Sequence, residues 1–145
     1  MRYPSVGCLL LVASAPQYAG AAEVGSAGAD WGLTKEAAVE VCEPEGERQY
    51  LARLVCPDGA HPTFSRTGNV GPRTPLPENM SEADVADLLS AAEERRELEP
   101  GEADKHWIDA YEVICGSDMT VVYMDMYHCS TPAPAVAPAG FTIQL

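Results

Sequence analysis

The chain has 145 residues, of which 22 are acidic and 9 are basic, and its formal net charge is −13. This length suits one domain with a single core rather than two. Such an acidic chain is a poor partner for nucleic acid or an anionic membrane surface. The sequence also lacks an apolar run of the roughly 20 residues that a membrane helix requires. We therefore expect a small acidic domain that neither binds nucleic acid nor spans a membrane.

The first 21 residues have the pattern of an export signal. Arg2 supplies a positive start, an apolar run follows over Val6–Ala15, and Ala19-Gly20-Ala21 fits the A-x-A cleavage rule. We expect residues 1–21 to be a signal peptide and the protein to be periplasmic or extracellular. The small Gly/Ala-rich residues at 22–33 are expected to form a loose lead-in.

Cleavage at that site would leave four cysteines, and an even number in an exported chain predicts two disulfides. The spacing lacks the close C-x-x-C pairs that are typical of zinc sites. In a straight hairpin, Cys115 and Cys129 would lie about 30 Å apart at ~3.3 Å per residue, whereas a disulfide tolerates about 7 Å. Excluding that pair also excludes Cys42 with Cys56. We prefer Cys42–Cys129 with Cys56–Cys115 over Cys42–Cys115 with Cys56–Cys129.

The first half of the mature chain predicts one short helix and one hairpin. Thr34 is a suitable cap for a helix over residues 34–42. Tyr50–Cys56 and Thr63–Thr67 have the composition of strands and flank the turn sequence Pro57-Asp58-Gly59. Residues 68–79, rich in Gly and Pro, predict an irregular loop.

A long amphipathic helix is predicted over residues 81–98. Ser81 and Asp84 form a capping-box pattern. Val85, Leu88, Leu89 and Ala92 then recur at helical spacing and form one apolar stripe, which we expect to pack on the sheet.

The last third predicts a second hairpin, from Trp107–Cys115 and Thr120–Cys129 with Ser117-Asp118 as its turn. This turn pairs Tyr111 with Met124. One face then carries the better core candidates, with Trp107 and Tyr111 expected beneath the long helix. The opposite face mixes aromatic and acidic residues and is the predicted contact surface: Glu112, Tyr123, Asp125 and Tyr127.

These elements predict an α+β fold in which two hairpins form a small antiparallel sheet, clamped by two disulfides. The ordered domain is expected over residues 34–129. The Pro/Ala-rich residues 130–145 are expected to be an extended tail, with Phe141 and Ile143 as anchors.

The positions of the histidines bear on whether the protein is an enzyme or a binding module. Asp109 follows His106 by three residues, and His128 follows Asp125 by three residues. These two pairs, in mirrored order, suggest metal or acid–base chemistry. If the hairpin continues to Cys129, however, the side chains of His106 and His128 point to opposite faces of the sheet. The sequence therefore favours a non-enzymatic binding module for an unidentified protein or small ligand, basic in character, without metal, cofactor or catalytic residue. The alternatives are a small hydrolase-like or metal-dependent enzyme using those four residues, and an inhibitor that presents the 68–79 loop.

Overall fold

The computed structural model describes residues 28–145, so the predicted signal peptide and residues 22–27 lie outside the described part of the chain. The described residues form two helices and six strands. In chain order these are β1 (Val39–Glu40), α1 (Glu43–Ala52), β2 (Leu54–Val55), β3 (Thr63–Pro72), α2 (Glu82–Glu94), β4 (Trp107–Cys115), β5 (Asp118–Asp125) and β6 (Thr142–Ile143).

The strands form two sheets. The larger has the order β1-β5-β4-β3, and the smaller pairs β2 with β6. All neighbours are antiparallel except β1, which runs parallel to β5. The predicted α+β class is confirmed, although the main sheet is mixed because β1 joins its edge from the segment ahead of α1.

β4 and β5 form the predicted C-terminal hairpin with a different turn. Tyr111 pairs with Val122 rather than Met124, and the turn is Gly116-Ser117. Gly116 has a φ of 61°, the left-handed conformation that a two-residue hairpin turn favours at this position. The register is therefore two residues from the predicted one. Because side chains alternate with a period of two, this shift keeps the side chains that pair between β4 and β5 on their predicted faces.

The first helix is α1 and not the predicted helix over 34–42. Ala37 N does donate to Thr34 Oγ1 at 3.2 Å, but this cap closes only a turn, and the chain then enters β1. The helix starts after Cys42 and carries Pro44 in its first turn, where proline is tolerated because the N–H it lacks would be unpaired there. The Pro44-Glu45-Gly46 sequence therefore lies in the first turn of the helix and does not break it.

The predicted hairpin of Tyr50–Cys56 with Thr63–Thr67 does not form. Tyr50 belongs to α1, and the following strand, β2, pairs with β6 instead. β3 exists but runs on to Pro72, so it includes the first part of the predicted 68–79 loop. It pairs with β4 along the edge of the main sheet, and its ladder is interrupted by register shifts at Arg66/Gly68 and Asn69/Pro72.

α2 confirms the predicted long helix and its capping box, in which Asp84 N donates to Ser81 Oγ at 3.2 Å. Its packing differs from the prediction. None of its residues is buried in the described chain, and Val85 and Leu89 are 42% and 50% exposed. The apolar stripe therefore does not pack on the sheet as expected.

The helix that covers the core is α1. Tyr50 and Leu51 join Tyr111, Val122 and Met124 in one buried apolar cluster. Tyr111 therefore lies beneath α1 and not beneath α2, where the sequence placed it. Its hydroxyl donates to Glu47 Oε2 of α1 at 2.8 Å.

The C-terminal residues close the open side of this core. Tyr50 Oη donates to the Val136 carbonyl at 2.7 Å, and Pro138 is fully buried. Phe141 and Ile143, the proposed anchors, pack against the apolar cluster.

Both preferred disulfides are present. Cys42–Cys129 joins the start of α1 to the chain beyond β5, and Cys56–Cys115 joins the chain after β2 to the end of β4. Neither α1 nor α2 is long and apolar enough to cross a membrane.

Candidate metal centre

Four side chains with metal-binding atoms meet at the end of the main sheet opposite the β4–β5 turn. Asp104 and His106 precede β4, Asp125 ends β5, and His128 follows it. One nitrogen of each histidine and one oxygen of each aspartate all lie within 4.8 Å of one another. His106 and Asp125 are buried, whereas Asp104 and His128 retain partial contact with solvent. We call these four residues the His/Asp centre.

The four groups alternate around a ring. His106 Nδ1 lies 3.0 Å from Asp104 Oδ1 and 3.6 Å from Asp125 Oδ1. His128 Nε2 lies 3.2 Å from Asp104 Oδ2 and 3.1 Å from Asp125 Oδ2. Each carboxylate therefore spans both imidazoles and uses a different oxygen for each.

Extended backbone places Asp104 beside His106. The ladder between β3 and β4 continues past both strands, with Arg73 N donating to the His106 carbonyl at 2.9 Å and Thr74 N to the Asp104 carbonyl at 3.0 Å. Side chains two residues apart in an extended segment share a face. The Asp104 and His106 side chains therefore point to the same side of the sheet.

A turn brings His128 onto that side as well. β5 ends at Asp125, and Tyr127 N donates to Asp125 Oδ1 at 3.2 Å, which closes an Asx-type turn. His128 N then donates to the Val41 carbonyl at 3.0 Å, and the next residue is held by the Cys42–Cys129 disulfide. The prediction that His106 and His128 lie on opposite faces is therefore wrong, because the strand does not continue to Cys129. Their ring centroids are 5.2 Å apart.

Two further charged side chains surround the centre. Arg73 Nη1 donates to Glu40 Oε1 at 2.6 Å and to Asp104 Oδ2 at 3.0 Å, and Nη2 donates to the Ala38 carbonyl at 2.9 Å. Glu40 pairs with Asp125 across β1 and β5, which places their backbones side by side. Arg73 thus fixes the orientation of one carboxylate of the centre and links it to the edge strand.

The charges of the centre stabilise one another. Burial by itself would lower the pKa values of both histidines, but their pairing with Asp104 and Asp125 outweighs it and raises each to about 9. Burial would likewise raise the pKa values of the two aspartates, and their interactions with the imidazoles instead hold them below the ordinary range. At neutral pH the metal-free centre therefore contains two imidazolium ions between ionised carboxylates.

One nitrogen inside the centre lacks a hydrogen bond. His106 Nδ1 is fully enclosed and faces two carboxylates, yet its geometry makes no hydrogen bond to any described residue. Buried polar atoms in native proteins nearly always have a partner, and a bound water or ion is one of the recognised reasons for an exception. His106 Nδ1 therefore interacts with Asp104, 3.0 Å away, and with Asp125, 3.6 Å away, through charge and not through an aligned hydrogen bond.

Asp109, which the sequence grouped with the histidines, is not part of the centre. It lies on the other side of β4 and forms a two-pronged ion pair with Arg66, with N–O distances of 2.6 and 2.7 Å. Alternation along β4 separates its side chain from those at even-numbered positions such as His106.

The predicted contact surface is divided by the fold. Asp125 is completely buried in the centre, and the Tyr127 ring stacks on His106 with centroids 4.9 Å apart. Glu112 and Tyr123 lie further along the hairpin and are partly exposed.

Sequence reasoning missed Asp104, Arg73 and Glu40. A signal for Asp104 does exist, because Asp-x-His immediately before a strand places both side chains on one face. Arg73 and Glu40 come from distant segments, and only the strand pairing shows that they join the centre.

The fold and the site together define a small disulfide-linked α+β domain with a His/Asp centre at one end of its sheet. Searches against protein-family models, curated proteins and solved structures find no match for this chain.

Proposed function

We propose that this protein is an exported, non-enzymatic binding module that holds one divalent transition-metal ion, zinc being the best fit, in the His/Asp centre. The observation that carries this proposal is the alternating ring of Asp104, His106, Asp125 and His128. Two imidazoles and two carboxylates form a donor set that zinc accepts in proteins.

The distances in the ring are close to those that a tetrahedral ion requires. Bonds of about 2.0–2.1 Å from zinc to nitrogen and oxygen imply ligand–ligand separations of about 3.3–3.4 Å in a tetrahedron. The four His–Asp separations range from 3.0 to 3.6 Å, but each aspartate uses a different oxygen for each histidine. With one atom from each residue, the four candidate ligand atoms lie within 4.8 Å of one another. The side chains would therefore have to move closer together to complete the coordination.

The charge of the centre supports the same conclusion. Glu40, Asp104 and Asp125 contribute three negative charges, and Arg73 contributes one positive charge. The net charge of −2 that remains is balanced either by two protons, one on each histidine, or by one divalent cation between neutral imidazoles. A metal ion thus replaces the two protons without changing the net charge, and metal affinity depends on pH because the ligands must release those protons.

The number of ligands favours binding over catalysis. Structural zinc sites use four protein ligands, whereas catalytic ones use three and leave a position for water. Here four side chains converge, and Arg73 orients one of them from outside, as supporting residues do in metal proteins. The signal-like residues 1–21 and the two disulfides support export to an oxidising compartment.

The first test is a zinc titration of the metal-free protein by calorimetry. We expect one ion per chain and, at pH 7, release of up to two protons per ion, measured by repeating the titration in buffers of different ionisation enthalpy. Replacement of a ligand, in Asp104→Asn or His128→Ala, should weaken binding by at least about tenfold, since loss of a supporting residue alone typically costs that much.

His61→Ala is the matched control. His61 is exposed, and its Nδ1 contacts the Leu54 carbonyl at 2.8 Å, outside the centre, so its loss should leave zinc affinity unchanged. Absence of saturable binding to the wild-type protein, or equal binding by the ligand variants, would contradict the proposal.

A further inference from the structure

The apolar stripe of α2 is left partly open by the described chain. Val85 and Leu89 are 42% and 50% exposed, and no residue of the helix is buried by residues 28–145. An amphipathic helix of a globular protein normally packs such a stripe on the core. We call the four residues of the stripe the α2 face: Val85, Leu88, Leu89 and Ala92. This face is available for contact with another molecule.

A cavity lies on each side of the α2 face. The first has a volume of about 320 Å³ and is lined by Leu88 and Ala92, together with Leu98 from the segment after the helix. The second has a volume of about 370 Å³ and is lined by Leu89 and Ala92 with Trp107. Helices pack by placing the side chains of one between those of the other. The α2 face thus forms a ridge between two recesses, a relief that suits a second helix.

Carboxylates border the α2 face on both sides. Asp84 and Asp87 line the first cavity, and Glu93 lines the second. Glu82 precedes Val85 by three residues, and side chains three or four positions apart are neighbours on a helix. α2 contains five acidic residues and no basic one. The border of the apolar stripe therefore attracts cations.

The nearby basic residues do not neutralise this border. Arg95 and Arg96 form ion pairs with glutamates outside α2, at 3.2 and 2.9 Å. Lys105 lines the first cavity, where two aspartates of α2 outnumber it. Residues 78–104 contain ten acidic residues against two arginines. The surface around the α2 face is therefore strongly negative.

This charge and the helical backbone select the kind of partner. A second copy of the chain would bring the same carboxylates against α2, and like charges across an interface repel. An anionic membrane surface is disfavoured for the same reason. The backbone N–H and C=O groups of a helix pair with one another, so an incoming strand would find no ladder to extend. The partner that fits is a helix whose apolar stripe is bordered by lysine and arginine.

We propose that the α2 face docks a basic amphipathic helix of a partner protein, with the partner's apolar stripe on Val85, Leu88 and Leu89 and its basic residues beside the bordering carboxylates. α2 has 13 residues and is therefore about 20 Å long, so a partner segment of three to four turns would cover it. This inference goes beyond the proposed metal binding and does not depend on it, because no residue of α2 belongs to the His/Asp centre.

Three synthetic peptides of about 14 residues, or nearly four helical turns, test the proposal by calorimetry on the full protein. The first is an amphipathic helix of leucine and lysine. The second has glutamate in place of each lysine, and the third has the composition of the first in an order that forms no apolar stripe. We expect the first peptide to bind saturably, one per chain, and the other two at least about tenfold more weakly. The third peptide separates docking from the general attraction of lysine to an acidic chain.

A pair of double variants locates the binding surface. Val85→Gln with Leu89→Gln should weaken binding of the first peptide by at least about tenfold, because two apolar side chains are no longer buried at the interface. Ile114→Gln with Met119→Gln is the matched control, since these side chains are 38% and 57% exposed on the β4–β5 hairpin. It should bind the peptide like the wild type. Circular dichroism should show the same helix content in both variants.

A second pair tests the carboxylate border without altering the apolar residues. Glu82→Gln with Glu93→Gln should weaken binding of the first peptide by at least about threefold and reduce its dependence on salt, because two attractive charges are lost. Glu36→Gln with Asp118→Asn is the control, since both side chains are exposed, lie outside α2 and line neither cavity. It should bind the peptide like the wild type.

The inference is overturned if the first peptide does not saturate, if either of the other peptides binds equally well, or if the variants of α2 bind like their controls. Sedimentation of the protein alone tests the second copy as occupant, and a dimer that Val85→Gln with Leu89→Gln dissociates would also overturn the inference. Repeating the peptide titration with metal-free and zinc-loaded protein separates this proposal from the previous one, because the peptide should bind both.

Discussion

Leu51→Ala is expected to lower the free energy of unfolding by about 2–5 kcal/mol, the cost of removing a leucine from a well-packed core. Leu51 has no exposed surface and belongs to the apolar cluster between α1 and the sheet. Its truncation removes buried apolar area and leaves a cavity that the surrounding side chains fill only in part. Urea unfolding followed by circular dichroism measures the change.

Leu89→Ala on α2 is the paired control. The same atoms are removed from a side chain that is 50% exposed, so the loss should stay within about 1 kcal/mol. This contrast tests which helix covers the core. Equal losses for the two variants would mean that α2 packs on the sheet as the sequence indicates.

Glu47→Gln is expected to stabilise the protein in alkaline solution and to have little effect near pH 5. The Glu47 side chain is 1% exposed, its Oε1 has no partner among the described residues, and Asp109 adds a nearby negative charge. Burial is the main cause that raises its pKa to about 7, although the Tyr111 hydrogen bond and the charges of Arg66 and Arg48 oppose the rise. Glutamine has nearly the same shape and never ionises.

The sign of the effect follows from proton binding. Between pH 4.5 and about 7 the folded protein keeps a proton on Glu47 that the unfolded chain has released, so stability falls as the pH rises through this window. A shift of this size corresponds to about 3 kcal/mol. The free energy of unfolding of Glu47→Gln should therefore exceed that of the wild type by up to about 3 kcal/mol at pH 8.

The histidines of the centre also affect the pH profile, but equally in both proteins. Their raised pKa values give stability that is complete below pH 6.5 and is lost as the pH rises toward 9. The difference in the free energy of unfolding between variant and wild type at each pH removes this common contribution. Glu45→Gln on the same helix is the control, because Glu45 is exposed and Arg48 lowers its pKa. A pH-independent difference for Glu47→Gln would show that the buried carboxyl does not titrate in this window.

The parts of the fold that sequence reasoning predicted are those specified locally. The capping box of Ser81 and Asp84 and the uninterrupted helical residues after it are sufficient to predict α2. Alternation on both sides of Gly116 predicts the C-terminal hairpin. Its straight geometry excludes Cys115–Cys129 and leaves two pairings, of which the preferred one is present. The N-terminal half depends on tertiary contacts, since Val39 lies in a strand only because β5 offers an edge for it.

The site shows the same division between local and distant information. The sequence grouped His106, Asp109, Asp125 and His128 by their spacing as an alternative site, and the structure brings all of them except Asp109 together. It could not reveal the turn at Asp125, because the residues from Met126 to His128 also suit a strand. Asp104 and Arg73 become visible as members only when the pairing of residues 73–74 with 104–106 is known.

The irregular outer strand β3 also bears on how the molecule behaves at high concentration. A straight strand at the margin of a sheet offers unpaired N–H and C=O groups on which another chain can extend the sheet. The two register shifts of β3 break that row of groups, and Pro72 contributes no N–H at its end. The opposite margin, β1, is only two residues long. Neither margin of the main sheet therefore gives an incoming strand a continuous template for extending the sheet.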